Sequence, residues 1–248
     1  MGMRILVTND DGVFSEGVRI LAKTMEVLGE VYVVAPDREQ SAVGHSLTLH
    51  RPLRVEEVSP RIYAVDGTPV DCVNLAVYGI LGVRPDLVVS GINKGPNLGE
   101  DVVYSGTVSA AFEATLLEIP AFAISLVSRK DFKFLVAADF ALKMAKYIMQ
   151  VGLPKETLLN INVPNLEVDE IRSLEITRQG KRVFGDAIVE KIDPRGKKYY
   201  WIGGEDQGFQ EIEGTDFHAI ANHHISITPL RVDLTNYPAV KELQGWRF

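Results

Sequence analysis

The sequence predicts an α/β fold: a doubly wound, mostly parallel sheet carrying a β-rich elaboration at its C-terminal end. Two observations predict it. Short uninterrupted apolar runs alternate with segments of helical period through the first 170 residues, the pattern of parallel strands covered on both faces by helices. After residue 170 the alternation stops, and strand-like segments follow one another around turn residues.

The elements can be justified in order. Ile5-Leu6-Val7 lies within a first strand from Arg4 to Thr8, which ends at the turn Asp10-Asp11-Gly12. Ser15 is a candidate cap for a helix whose Val18, Leu21, Ala22, Met25 and Leu28 share one face, stopped by Gly29. Val31–Ala35 is a second strand, ended by Pro36-Asp37. A polar loop through Gln40, Ser41, Gly44 and His45 leads to strands at Leu53–Val58 and Ile62–Val65, then to a helix starting near Pro69. Asp86–Ser90 is a buried strand opening into a glycine-rich loop, Gly91 to Gly99, and a helix from about Thr107 to Leu117. A strand at Ala121–Ser125, a helix from Phe132 to Met149 and a strand at Leu158–Val163 complete this layer. Beyond it, Leu174–Thr177, the turn Asp193-Pro194-Arg195-Gly196 before Lys197–Ile202, and Ile225–Thr228 suggest hairpins without intervening helices. An acidic stretch from Gly203 to Gly214 lies between them. The expected organisation is a core over residues 1–170 and a β-rich extension over 171–248.

Composition narrows the functional classes. With 26 Lys or Arg against 33 Asp or Glu, the net charge is −7, and no dense basic run is present to support bulk nucleic-acid binding. No stretch approaches the roughly 18 apolar residues of a spanning helix, and Leu6 occupies the position where a myristoylation signal needs Ser or Thr. A cytoplasmic protein is expected. Cys72 is the single cysteine, so an internal disulfide and a Cys-ligated zinc site are excluded. Its apolar neighbours Val70 and Val73 suggest a core position.

In open α/β sheets ligands sit beyond the carboxyl ends of the strands, so the residues there carry the candidate chemistry. Asp10 and Asp11 are adjacent carboxylates whose repulsion a hard divalent cation would relieve; a solvated turn is the alternative. Asp37, Ser41 and His45 follow the second strand, but no dinucleotide glycine fingerprint accompanies them. Asn93, Gly95, Asn97 and Gly99 alternate after the strand Asp86–Ser90, offering neutral carbonyl ligands and amide donors to phosphate. Ser105-Gly106-Thr107 opens a helix, where free N–H groups favour an anion or simple capping takes place. His223-His224 lack metal spacing with the other histidines, and Trp201 and Trp246 suggest packing or interface anchors.

Together these segments resemble the SurE survival-protein family of metal-dependent nucleotidases. The resemblance is carried by Thr8-Asn9-Asp10-Asp11-Gly12, Ala35-Pro36-Asp37 with Gln40-Ser41-Ala42 and Gly44-His45-Ser46, and Gly67-Thr68-Pro69 before Asp71. It continues through Ser90-Gly91-Ile92-Asn93-Lys94-Gly95-Pro96-Asn97-Leu98-Gly99 and Tyr104-Ser105-Gly106-Thr107-Val108, and returns at Asn160-Ile161-Asn162-Val163-Pro164 and Ser226-Ile227-Thr228-Pro229. Ala114 stands where the family often has glycine.

The resemblance implies a Rossmann-like sheet and one divalent cation, Mg²⁺ or Mn²⁺, held by Asp10, Asp11, Ser41 and Asn93. It implies phosphate contacts from Asn97, Ser105, Gly106 and Thr107. The implied activity is hydrolysis of nucleoside 5′- or 3′-monophosphates, with short polyphosphate as a further substrate, in a dimer or tetramer that exchanges its C-terminal hairpin and tail. Metal-activated water would attack in line, with Asp10 as ligand and general base. A receiver-like signalling module and a nucleotide binder without turnover are the alternatives. The first is disfavoured because the strand Asp86–Ser90 runs into Asn93 rather than a phosphoacceptor aspartate.

Overall fold

Ile5, Leu6 and Val7 are all fully buried, as an uninterrupted apolar run in a doubly covered strand requires. The structure is a computed structural model that describes residues 2–183, 188–202 and 208–247. Its first part runs β1 (Met3–Thr8), α1 (Glu16–Met25), β2 (Gly29–Pro36), β3 (Val55–Ser59), β4 (Ile62–Val65), α2 (Pro69–Leu75) and β5 (Leu87–Lys94). It continues with α3 (Gly106–Leu116), β6 (Ala121–Val127), α4 (Phe134–Val151) and β7 (Thr157–Pro164). The C-terminal part adds β8 (Leu174–Ile176), β9 (Ile188–Ile192), β10 (Lys198–Ile202), α5 (Asp216–Ala221), β11 (Ile225–Arg231) and α6 (Tyr237–Leu243).

The main sheet has nine strands in the order β3-β4-β2-β1-β5-β6-β7-β11-β8. Its central six are parallel. The chain steps one way from β1 to β2 and the other way to β5, so the carboxyl ends of β1 and β5 flank the topological switch point where α/β sheets bind ligands. Two apolar layers cover the sheet. Val18, Leu21 and Met25 of α1 and Phe134, Ala138 and Ile148 of α4 pack over Ile5, Val89 and Phe122. On the other face, Cys72 and Val73 of α2 and Ala110, Ala111 and Ala114 of α3 pack over Leu6, Val88 and Ala123. Each fully buried Phe, Ile or Leu contributes about 1.5–3 kcal/mol, and the alanines let α3 lie close to the strands.

Local signals set the helix boundaries. Thr68 and Asp71 form a reciprocal capping box around Pro69, which fixes the start of α2. Asp71 also accepts the Thr48 N–H at 2.9 Å and the Thr48 hydroxyl at 2.6 Å, tying the loop before β3 to this helix. Helix α1 ends at Met25 rather than at Gly29, because the Leu28 N–H bonds the Met25 carbonyl and closes a tighter turn. Ser15 occupies the cap position of α1 without a side-chain cap bond.

The C-terminal part departs from a run of hairpins. β11 pairs antiparallel with β7 and parallel with β8, so the segments at 174 and 225 extend the main sheet. The β9–β10 ribbon is a hairpin, turned by an Asp193 N–H···O bond to Lys197 of 2.8 Å. It forms a separate two-stranded sheet. Helix α5, capped by Thr215, stands between the ribbon and β11. Of the acidic stretch at 203–214, residues 203–207 lie outside the described residues. Among the described residues no helix is long and apolar enough to cross a membrane.

Candidate active site

Strand β1 delivers Asn9, Asp10 and Asp11 to the switch point in a turn stapled by Asn9, whose Nδ2 donates to the Gly12 carbonyl at 3.1 Å and the Ser15 hydroxyl at 2.7 Å. That use of the Ser15 hydroxyl explains why it does not cap α1. Asp10 is buried against the start of α3: its Oδ2 accepts the Thr107 N–H at 3.1 Å, and its Oδ1 accepts the Thr107 hydroxyl. Gly106 makes this approach possible, since a Cβ there would lie 2.8 Å from the Asp10 Cβ. Asp11 Oδ2 accepts the Lys94 N–H at 3.1 Å from the end of β5.

Desolvation is the main influence on both carboxyl groups. Burial raises the Asp10 pKa, the two Thr107 bonds oppose the rise, and Glu39 adds repulsion. Burial also raises Asp11, with the neighbouring Asp10 charge as the second cause, to about 6. Lys94 offsets part of this through its N–H and its charge. Two acids held side by side at this cost fit a site whose charge is completed by a cation.

The other expected ligands line the same cleft of about 460 Å³, together with Asp10 and Asp11. Asn93 Nδ2 donates to the Gly95 carbonyl at 3.0 Å, while its Oδ1 lies 3.4 Å from the Thr107 hydroxyl that bonds Asp10. Ser41 sits on the opposite, exposed loop and turns its hydroxyl to Glu39. No group of three or more His, Cys, Asp or Glu residues is arranged to hold a metal among the described residues. The oxygens of Asp10, Asp11, Ser41 and Asn93 in this cleft are carboxylate, hydroxyl and amide, a hard set that would suit Mg²⁺ or Mn²⁺ rather than zinc.

At the start of α3, Ser105 caps the helix by accepting the Val108 N–H at 3.0 Å, which leaves its own proton to donate. Thr107 commits its N–H and hydroxyl to Asp10. Asn97 is held from below. Its N–H donates to Asn162 Oδ1 at 2.9 Å, and its carbonyl accepts Asn160 Nδ2 at 2.8 Å and Asn162 Nδ2 at 2.9 Å. Its side-chain Nδ2 donates to Ser125 at 2.7 Å, leaving a second amide proton for another acceptor.

The structure adds residues that sequence reasoning did not single out: Glu39, Lys94, Asp101 and Tyr104 in the cleft lining, and Ser125, Asn160 and Asn162 beneath Asn97. For the last pair a signal existed. Two asparagines at i and i+2 in an apolar strand share one face, and buried amides require partners. His45 lies outside this cleft and pairs with Glu113 at 2.9 Å. Cys72 is fully buried. His224 faces Ser173 and Glu175, and Trp201 and Trp246 are exposed.

Comparisons with known proteins bear on the family and the fold. Residues 5–186 match the family model "Survival protein SurE". The 5′-nucleotidase SurE of Geotalea daltonii is 56% identical over 98% of this chain and 99% of its own length. The 5′-nucleotidase SurE of Pelobacter propionicus is 56% identical over 99% of this chain and 100% of its own. The crystal structure of the SurE protein from Aquifex aeolicus superposes with a TM-score of 0.88 at 46% identity, covering 97% of this chain and 98% of that one. A matching family model over most of the chain, near full-length identity above one half and a shared fold lead to one statement: the chain belongs to the SurE survival-protein family.

Proposed function

We propose that this chain hydrolyses nucleoside 5′-monophosphates to nucleoside and phosphate in the Asp10–Asp11 cleft, using one divalent cation. The observation that carries the reading is the junction of Asp10 with the N-terminus of α3. It supports a cation site of acidic residues beside a helix end suited to phosphate. The relatives' activity, at 56% identity over nearly the whole chain, supports the reaction class.

Asp10, Asp11, Ser41 and Asn93 would hold the cation. When bound, it supplies a positive centre beside the phosphate and acidifies water. Asn97, Ser105 and Gly106 would bind the phosphate through amide, hydroxyl and backbone donors, which are worth most where water is excluded, and Thr107, whose N–H and hydroxyl hold Asp10, would join them by exchanging that carboxylate for phosphate. Thr107 links the two halves, because the donors that hold Asp10 lie at the helix end assigned to phosphate. A water oxygen attacks phosphorus as the ester P–O bond breaks. Asp10 accepts a proton from that water and returns it, directly or through solvent, to the departing sugar oxygen, so the products are nucleoside and phosphate and Asp10 is regenerated.

We extend the proposal to 3′-monophosphates and short polyphosphate, because the residues assigned a role hold the cation or grip phosphate and none reads the base. A cytoplasmic homo-oligomer is part of the same reading. The β9–β10 ribbon exposes Ile188, Ile192, Trp201 and Ile202, an apolar surface suited to exchange with a second copy.

Phosphate release from nucleoside monophosphates, with and without chelator, tests the proposal in the wild type and Asp10→Asn. Turnover indifferent to chelator overturns the cation. Retention of configuration at phosphorus overturns direct attack by water.

A further inference from the structure

Asp216 is fully buried at the first position of α5, in the C-terminal part of the chain and 117 residues from the Gly99 that it bonds. Its Oδ2 accepts the Gly99 N–H at 2.7 Å, and its Oδ1 accepts the N–H groups of Gly180 and Phe217, each at 2.8 Å. Gln179 Nε2 donates to the Gly99 carbonyl at 2.9 Å. Both backbone polar groups of Gly99 are therefore satisfied by the C-terminal part. The fit is close: Gly99 has φ +53°, and a Cβ there would lie 2.7 Å from the Gly180 carbonyl oxygen and 2.6 Å from the Phe217 ring.

The next residues are tied in the same way. The Arg182 N–H donates to Glu100 at 3.0 Å, and Arg182 Nη1 donates to both Asp101 carboxylate oxygens, at 2.9 and 3.1 Å. Gly99, Glu100 and Asp101 are thus each bonded to the C-terminal part. These three residues lie between Asn97, anchored on β6 and β7, and Ser105, the cap of α3. They belong to the short 3₁₀ turn Gly99–Val103 that joins the two proposed phosphate contacts.

We infer that Asp216 is a positioning residue for phosphate binding: by holding Gly99 it sets the placement of Asn97 relative to the start of α3. The inference rests on the assignment of phosphate to those residues above. It gives the C-terminal part a role inside each subunit's own site, separate from assembly. A carboxylate suits this position because it accepts three N–H groups without bringing a donor of its own.

Asp216→Asn keeps the shape and turns an NH₂ toward one of those N–H groups. The full-length variant is to be compared with the wild type in four measurements: KM for a nucleoside monophosphate, Ki for inorganic phosphate, Mn²⁺ affinity without substrate, and hydrogen–deuterium exchange of residues 97–105. KM and Ki are expected to rise together by roughly tenfold, with faster exchange in that segment and Mn²⁺ affinity held within about twofold. KM and Ki within about twofold of the wild type, even with a lowered Tm, overturn the positioning role and leave Asp216 as a structural residue.

Gln179→Ala serves if the first variant does not fold. It removes one bond to Gly99 and is expected to raise both constants by about threefold, and no change in either overturns the role. A wild type that neither hydrolyses nucleotides nor binds phosphate overturns the nucleotidase reading and the role that rests on it. A wild type that does both beside an unchanged variant overturns the positioning role alone.

Discussion

The two walls of the cleft are built in opposite ways. On one side, the Asn93–Gly99 loop is anchored by side chains from inside the sheet, with three hydrogen bonds to the Asn97 backbone and one to its amide. On the other, Ser41 and Ala42 are exposed on a loop without regular secondary structure. That loop is fastened at separated points: the Gln40 N–H on the Asp10 carbonyl at 2.7 Å, the Gly44 N–H on the Tyr104 carbonyl at 3.0 Å, and Thr48 on Asp71. The groups proposed to face phosphate on the first wall are set by the fold. The Ser41 hydroxyl donates to Glu39, which leaves its oxygen lone pairs free. The first wall therefore couples binding to folding stability, and the second allows affinity to change without it.

Substitutions can break or sharpen this contrast. The largest effect is expected where the walls meet: Asp10→Asn should lower kcat/KM by roughly 10²–10⁴-fold, measured by phosphate release. Next comes the anchored wall. Asn162→Ala leaves the buried Asn97 N–H without its acceptor and should cost about 1–3 kcal/mol. At about 2–4 °C per kcal/mol for a chain of this size, calorimetry should resolve the fall in Tm. On the open wall, Ser41→Ala should leave stability within about 0.5 kcal/mol while weakening Mn²⁺ binding by about tenfold, read by titration. Equal losses of Tm in these two variants would end the distinction.

The smallest effect concerns the fastening of the open wall through His45. Its hydrogen bond is the main cause that lowers the Glu113 pKa below 4.5, with Asn74 assisting against burial. A depressed carboxylate stabilises the fold above its unfolded value and loses that contribution as pH falls through the folded one. The Tm gap between wild type and Glu113→Gln should therefore persist at neutral pH and close as pH drops below 4.5.

What was legible in the sequence follows from range. Ile62–Val65 is a strand with the expected bounds, and α3 and α4 lie within two residues of their expected limits, because apolar runs and helical spacing are local signals. Asp10, Asp11, Asn93 and Asn97 stood out because strand ends in this fold class are the places to look, and the structure gathers them into one cleft. The C-terminal part was harder to read. β8 has three residues and β11 pairs with a strand more than 60 positions earlier, so nothing local distinguishes them from hairpin arms. Helix α5 is six residues long, and Asp216 in its first turn has the form of an ordinary helix-start acid. Its bonds to Gly99 and Gly180 arise only in the assembled fold.

The bond between Asp10 and Thr107 spans 97 positions of the chain. It joins the first strand of the chain to a helix that follows β5, the strand paired with β1. A chain in which this contact has not formed lacks the junction on which the cleft is built. Ligand occupancy becomes a checkpoint on topology: a molecule that binds is one in which the two ends of this 97-residue loop have already met.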